Sequence, residues 1–137
     1  MAYWLVKSEP SSFSWSQQEA VGVEPWTGVR NAAARQNLAA MRAGERALFY
    51  HSTEGRECVG IVEIAREAYP DPTDATGRWL AVDMRAVAPL PRPVPLAALK
   101  ADPSFADMPL VRLSRLSVSP VSDTHWQAIL DLGGYAR

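Results

Sequence analysis

Hydrophobic and polar positions divide the chain into short elements. A strand is predicted over residues 3–7 and ends at Pro10, which lacks a ladder donor. A short helix is predicted over 12–20, with Ser14 and Gln17 at capping-box spacing. Residues 22–28 read as a loop. Asn31 is placed to cap a second helix that runs to Met41 and is rich in Ala, Leu and Arg, with Gly44 as its C-terminal stop. The apolar run Ala47, Leu48, Phe49, Tyr50 predicts a strand over 46–51, and 52–56 a turn. A β-branched strand follows over 58–68, in which Gly60 marks a bulge or a close backbone approach. After a polar loop over 70–77, another strand covers 79–88, with Asp83 on the face opposite Leu80, Val82 and Met84.

Pro91, Pro93 and Pro95 are then expected to break all regular structure. Residues 96–101 predict one or two helical turns, 102–109 irregular chain, and 115–121 an extended segment limited by Pro120. The last helix is predicted over 123–132, capped by Ser122, with Trp126, Ile129 and Leu130 inward and Gly133 and Gly134 at its end. Strands joined by short turns, with helices to either side, imply one α+β domain on a curved or closed, antiparallel-rich sheet; periodicity does not choose between barrel and open sheet.

Composition narrows the functions available. The 137 residues are 47% apolar and suit one domain. No apolar run approaches the ~20 residues that span a bilayer, and the N-terminal segment lacks signal-peptide character. One cysteine, Cys58, allows no internal disulfide and reads as a small buried apolar residue in a reducing, cytoplasmic setting. His51 and His125 are far apart and without ligand-like neighbours, so neither a metal nor a cofactor is expected.

A net charge of -1 excludes a protein that coats nucleic acid through bulk charge. The charges are unevenly placed, however. Arg30, Arg35, Arg42 and Arg46 stand against Glu45 alone, and Arg112 and Arg115 lie in a stretch without acids. That permits a local basic face. Arginine outnumbers lysine 12 to 2, which fits planar bidentate recognition or a plain compositional habit.

Four segments concentrate polar and aromatic groups: residues 4–10, 26–31, 49–52 and 114–117. In the second, Trp26 offers either a stacking face or a core anchor. Gly28 allows close backbone approach, and Asn31 is a base-edge reader or only a cap. Lys7 and Glu9 form a structural pair, or Lys7 and Ser8 meet a ligand's polar edge. A serine-hydrolase reading of His51 and Ser52 fails on geometry, because strand neighbours point to opposite faces, and no nucleophile elbow or phosphate loop is present. His125, beside Trp126, reads as a helix-surface residue.

Taken together, YWLVKSEP at 3–10, WTGVRNAAARQNL at 26–38, FYHS at 49–52, VGIVEI at 59–64, AYPDPT at 68–73 and LVRLSRLSVSPVS at 110–122 resemble the EVE domain family, in the family's order and from end to end. The chain departs from it at Ala33 and Gln36, where an aromatic residue and an asparagine are frequent. The resemblance implies a PUA-like fold and a non-catalytic reader of a modified base in DNA or RNA, related to YTH domains, which hold a methylated adenine in an aromatic cage. By the same resemblance the pocket holds Trp4, Lys7, Ser8, Trp26, Val29, Arg30, Asn31, His51, Ser52, Arg115 and Ser117. Arg30, Arg35 and Arg115 are expected to hold flanking phosphates by charge-assisted pairs. A monomer with no membrane partner is expected. Three rivals stay open: an enzyme on a modified nucleotide with Glu9 or His51 as base, a protein-interaction domain, and a sensor of free nucleosides.

Overall fold

The computed structural model describes residues 1–135. Six strands form one sheet: β1 (Tyr3–Ser8), β2 (Val23–Trp26), β3 (Arg46–His51), β4 (Glu57–Pro70), β5 (Leu80–Pro95) and β6 (Val118–Val121), in the spatial order β2-β5-β4-β3-β1-β6. β1 and β3 run parallel, from Tyr3 opposite Arg46 to Ser8 opposite His51. Every other pairing is antiparallel. The sheet is curved but not closed, with β2 and β6 as its edges.

Helices α1 (Trp15–Val21) and α2 (Ala32–Ala40) cover one face of the sheet. Helices α3 (Leu96–Lys100), α4 (Pro109–Arg112) and α5 (Asp123–Leu132) cover the other. Alternation in the strands divides the core accordingly. Trp4, Val6, Ala47 and Phe49 pack with Trp15, Ala34 and Leu38, while Leu5, Leu48 and Tyr50 pack with Leu99, Phe105, Trp126 and Ile129. Residues 4–6 and 47–50 are all buried, so β1 and β3 read as continuous apolar runs, the signature of strands covered on both faces.

The helix starts follow local chemistry. Ser14 and Gln17 make the reciprocal capping box, Asn31 Oδ1 accepts the Ala34 N–H at 3.0 Å, and Ser122 Oγ accepts the His125 N–H at 3.1 Å. α2 ends at Ala40 with Met41 as its C-cap, within one residue of the predicted end. Just beyond it the buried Glu45 carboxylate accepts the Arg42 N–H (2.8 Å), the Trp4 indole N–H (3.0 Å) and the Ala2 N–H (2.9 Å). Burial favours protonation of Glu45, but these three bonds outweigh it and hold its pKa below the usual value.

Two expectations need correction. Residues 23–26, expected as loop, form edge strand β2 against Val82–Arg85, and only an edge tolerates Pro25. The proline run does not end regular structure either, since β5 continues to Pro95. The β4–β5 register jumps from Gly60 opposite Pro89 to Cys58 opposite Val94. Residues 90–93 therefore face Val59 alone, and Pro91 and Pro93 owe no ladder donor there. Gly60 fills both roles anticipated for it. It lies at this bulge, and a Cβ on it would sit 2.6 Å from the Trp15 ring.

Candidate functional site

A cavity of about 580 Å³ opens at the C-terminal end of β1. Its lining includes Lys7, Ser8 and Glu9 from β1 and the turn after it, Ser12 and Phe13 before α1, and Glu24, Pro25, Trp26, Thr27 and Gly28 from β2 and the loop beyond. Trp26 and Phe13 meet edge to face at 6.2 Å, and Trp26 also packs edge-on against Phe49 at 5.7 Å. Trp26 is 8% exposed, so it is a core residue and a cavity wall at once. The same lining brings an ammonium, three hydroxyls and two carboxylates, a mixed donor and acceptor set.

Lys7 is the junction of the site. Its ammonium donates to the Ser114 carbonyl at 2.9 Å and lies 5.9 Å from the Tyr50 ring centroid. Partial burial strips water from it and lowers its pKa. On its far side a second cavity, about 350 Å³, is lined by Lys7, Tyr50, Ser52, Arg56, Lys100 and Ser114 among others. A third, about 390 Å³, is lined by Asn31, Ala33, Leu113, Ser114, Arg115 and Leu116. Three cavities thus meet around one Lys7–Ser114 hydrogen bond. The expected structural pair of Lys7 with Glu9 is not among the ion pairs of the described residues.

Asp71 builds the loop from Trp26 to Arg30. Its Oδ2 accepts the Gly28 N–H at 2.8 Å and Arg30 Nη1 at 3.0 Å, and its Oδ1 accepts the Thr73 N–H and hydroxyl, both at 2.7 Å. The carboxylate is fully buried. Burial alone would raise its pKa, but the bonds from Thr73, Gly28 and Arg30 reverse this and hold it well below the usual carboxylate range. Gly28, with φ of 83°, takes a conformation that L side chains rarely adopt. Arg30 donates further to Thr73 Oγ1 at 3.1 Å and approaches the Trp79 ring. Its fork is thus engaged in bracing the loop.

The remaining candidate residues divide by place. Ser8 lines the main cavity, and its hydroxyl donates to the Phe13 carbonyl. Ser52 lines the second cavity, and Asn31 and Arg115 the third. Arg115 is exposed, and Arg35 donates through Nε to the Arg78 carbonyl at 2.7 Å. Ser117 supports β1, its carbonyl accepting the Lys7 N–H at 3.0 Å. Val29 is buried in the core. Trp4 lies in the core with its N–H on Glu45, away from the main cavity. His51 Nε2 accepts the Trp15 N–H at 3.0 Å and so caps the start of α1. This bond requires a neutral ring protonated on Nδ1, and burial lowers the ring's pKa in the same sense. Sequence reasoning misses Asp71 and Tyr50 as site residues, although they lie within the motifs at 68–73 and 49–52. Asp71's partners Gly28 and Arg30 lie 43 and 41 residues away, with no local signal.

Among the described residues no group of three or more His, Cys, Asp or Glu side chains is arranged to hold a metal, and no helix is long and apolar enough to cross a membrane.

The EVE domain family model matches residues 2–132. A Rhodopseudomonas palustris protein solved by NMR superposes with a TM-score of 0.94 at 57% identity, over 100% of this chain and 96% of that one. Human thymocyte nuclear protein 1 is 32% identical over 96% of this chain and 73% of its own length. The crystal structure of human THYN1 in complex with DNA containing 5-methylcytosine matches at 30% identity and a TM-score of 0.91, over 100% of both chains. A Zygosaccharomyces rouxii YTH domain, in complex with N6-methyladenosine RNA, is 22% identical with a TM-score of 0.57 over 99% of this chain and 88% of that one, a likeness of fold alone. With the family's motifs in order, its model matched over residues 2–132 and its fold shared with these structures, this chain belongs to the EVE domain family.

Proposed function

We propose that the protein is a non-catalytic module that takes a modified base of DNA or RNA into the cavity beside Trp26. The observation that carries this reading is the cavity's make-up: the aromatic pair Trp26 and Phe13 together with Lys7, Ser8, Glu9 and Glu24. A base is flat, and its polar edge carries donors and acceptors together. Carboxylates accept from an exocyclic amino group such as cytosine N4, and an ammonium donates to a ring nitrogen or carbonyl. Stacking returns about 1–3 kcal/mol per base, which offsets the few kcal/mol of extruding it from a strand. Arg115, which lines the third cavity, and Arg35 supply charge-assisted contacts to flanking phosphates. The complex of THYN1 with methylated DNA supports the ligand class. The use of His51 Nε2 as an acceptor for α1 supports the non-catalytic reading, because that lone pair is the one a general base would need.

The test is equilibrium binding to short DNA and RNA strands, each carrying one modified base beside an unmodified twin. A preference of about tenfold, or 1.4 kcal/mol, that falls in Glu9→Gln or Glu24→Gln is expected. Equal binding of every modified and unmodified pair would refute the reading.

A further inference from the structure

The second cavity, across Lys7 from the base cavity, has a different chemistry. Three cations, Lys7, Arg56 and Lys100, line it, and no lining residue is acidic. Tyr50 is 3% exposed and lines this cavity, where its phenol hydroxyl offers a donor. Burial raises the Tyr50 pKa, so that hydroxyl stays a donor at neutral pH. The floor of the cavity is the turn after β3, where Thr53 (φ of 67°) and Arg56 (φ of 49°) both occupy the left-handed region. For a β-branched residue such as Thr53 this is an outlier. The turn is held there from both ends, by Ser52 N–H to Ser8 O at 2.9 Å and by Leu96 N–H to Arg56 O at 2.8 Å.

A tyrosine hydroxyl beside three cations, with no acidic lining residue, makes a set of donors suited to an anion. We infer that this cavity binds a backbone phosphate of the strand whose base enters the neighbouring cavity, with Arg56 and Lys100 supplying charge and Tyr50 a directed hydrogen bond. The inference rests on the base-reading role. Lys7 lines both cavities, so the two adjoin and one strand can reach both. It adds a point of attachment separate from Arg35 and Arg115. An anion here also compensates the Lys7 ammonium for the water it has lost.

The experiment measures binding of wild type, the double variant Arg56→Gln/Lys100→Gln, and Tyr50→Phe to single-stranded DNA with and without 5-methylcytosine, across salt concentrations. Thermal unfolding checks the fold of each variant. In the double variant we expect both strands to bind roughly tenfold more weakly, a factor equal to 1.4 kcal/mol. The slope of log K against log salt should flatten by about 0.7 for each phosphate no longer neutralised, with the methylation preference unchanged. Tyr50→Phe should weaken binding at an unaltered slope, which a diffuse positive field would not produce. Wild-type affinity and slope in the double variant would overturn the inference and leave the base-reading role intact. A lost methylation preference at constant slope would also overturn it, by placing the base in this cavity. If wild type shows no preference for the modification yet the double variant still flattens the slope, base reading fails and the phosphate site stands. A parallel NMR titration with inorganic phosphate separates the sources. Shifts at residues 52–56 without any change in the oligonucleotide slope would mark a free-phosphate site and overturn the assignment to the strand.

Discussion

Replacing Asp71 with Ala should loosen the binding loop and cost stability in a pH-dependent way. The substitution deletes four hydrogen bonds of 2.7–3.0 Å, to the Gly28 and Thr73 backbone, the Thr73 hydroxyl and the Arg30 guanidinium. Bonds to a charged group contribute about 1.5–3 kcal/mol each, but not additively. The Arg30 partner is 39% exposed, so water screens that share and it is discounted. The net expectation is about 3 kcal/mol at neutral pH, dominated by the two stranded N–H groups. The pH dependence follows from the sign of the shift. Asp71's folded pKa lies below its ordinary 3.8. Its contribution is therefore fully present above 3.8 and fades as pH falls through and below that value. Denaturant unfolding of wild type and variant, at pH 7 and at steps below pH 4, reads both effects. The gap should be wide at neutral pH and narrow in acid. A gap under about 1 kcal/mol at pH 7, or one that stays constant into acid, would refute the account of Asp71 as the anchor of this loop.

Trp26→Ala should destabilise the domain by about 3–5 kcal/mol, as for other large core truncations, so its lost binding must be separated from lost fold by a melting curve. An unchanged melting temperature would show that the indole is not a core wall. Gly60→Ala drives a methyl into the Trp15 ring and should cost about 1–3 kcal/mol in denaturant titration, where a neutral result would mean that the α1 packing gives way freely. Cys58, fully buried with its thiol pushed up to about 12 by desolvation and then by Glu57, should resist thiol reagents until the protein unfolds. Rapid labelling of the native protein would contradict this. His51→Ala removes the acceptor for the Trp15 N–H and should cost about 1 kcal/mol by urea titration, an N-cap-sized effect. Because burial lowers the wild-type His51 pKa, its contribution is present above the ordinary 6.5 and fades below it. A gap from wild type that widens in acid would refute the neutral acceptor.

Local chemistry is legible in the sequence wherever the cause is local. Ser14, Asn31 and Ser122 act as caps because a short side chain reaches an N–H two or three residues on. The apolar run at 47–50 betrays a strand covered on both faces. What escapes depends on partners distant in the chain. Pro91 and Pro93 are admitted to β5 only because β5 bulges there, with residues 90–93 facing Val59 alone, and β2 is four residues whose pairing with β5 sets its identity. The Glu45 carboxylate, which ties the turn after α2 to Ala2 and Trp4, has those partners more than 40 residues away. In the site, Lys7, Ser8 and Trp26 do meet in one cavity, but Trp4 and His51 turn their polar atoms inward to the scaffold. A residue type that suits recognition suits support equally well, and only its partners decide between the two.

The double-sided burial of β1 and β3 has a consequence for how tightly a ligand is held. Amides of Leu5, Val6, Leu48 and Phe49 sit beneath two cores, so their hydrogen exchange should require opening of the whole molecule. Lys7, Ser8 and Tyr50 are the continuation of those same strands. The groups proposed to meet a ligand are therefore mounted on the part of the chain buried on both faces, and little of the binding free energy would be spent on ordering them. Slow dissociation would then come from the scaffold's rigidity more than from the number of groups that touch the ligand.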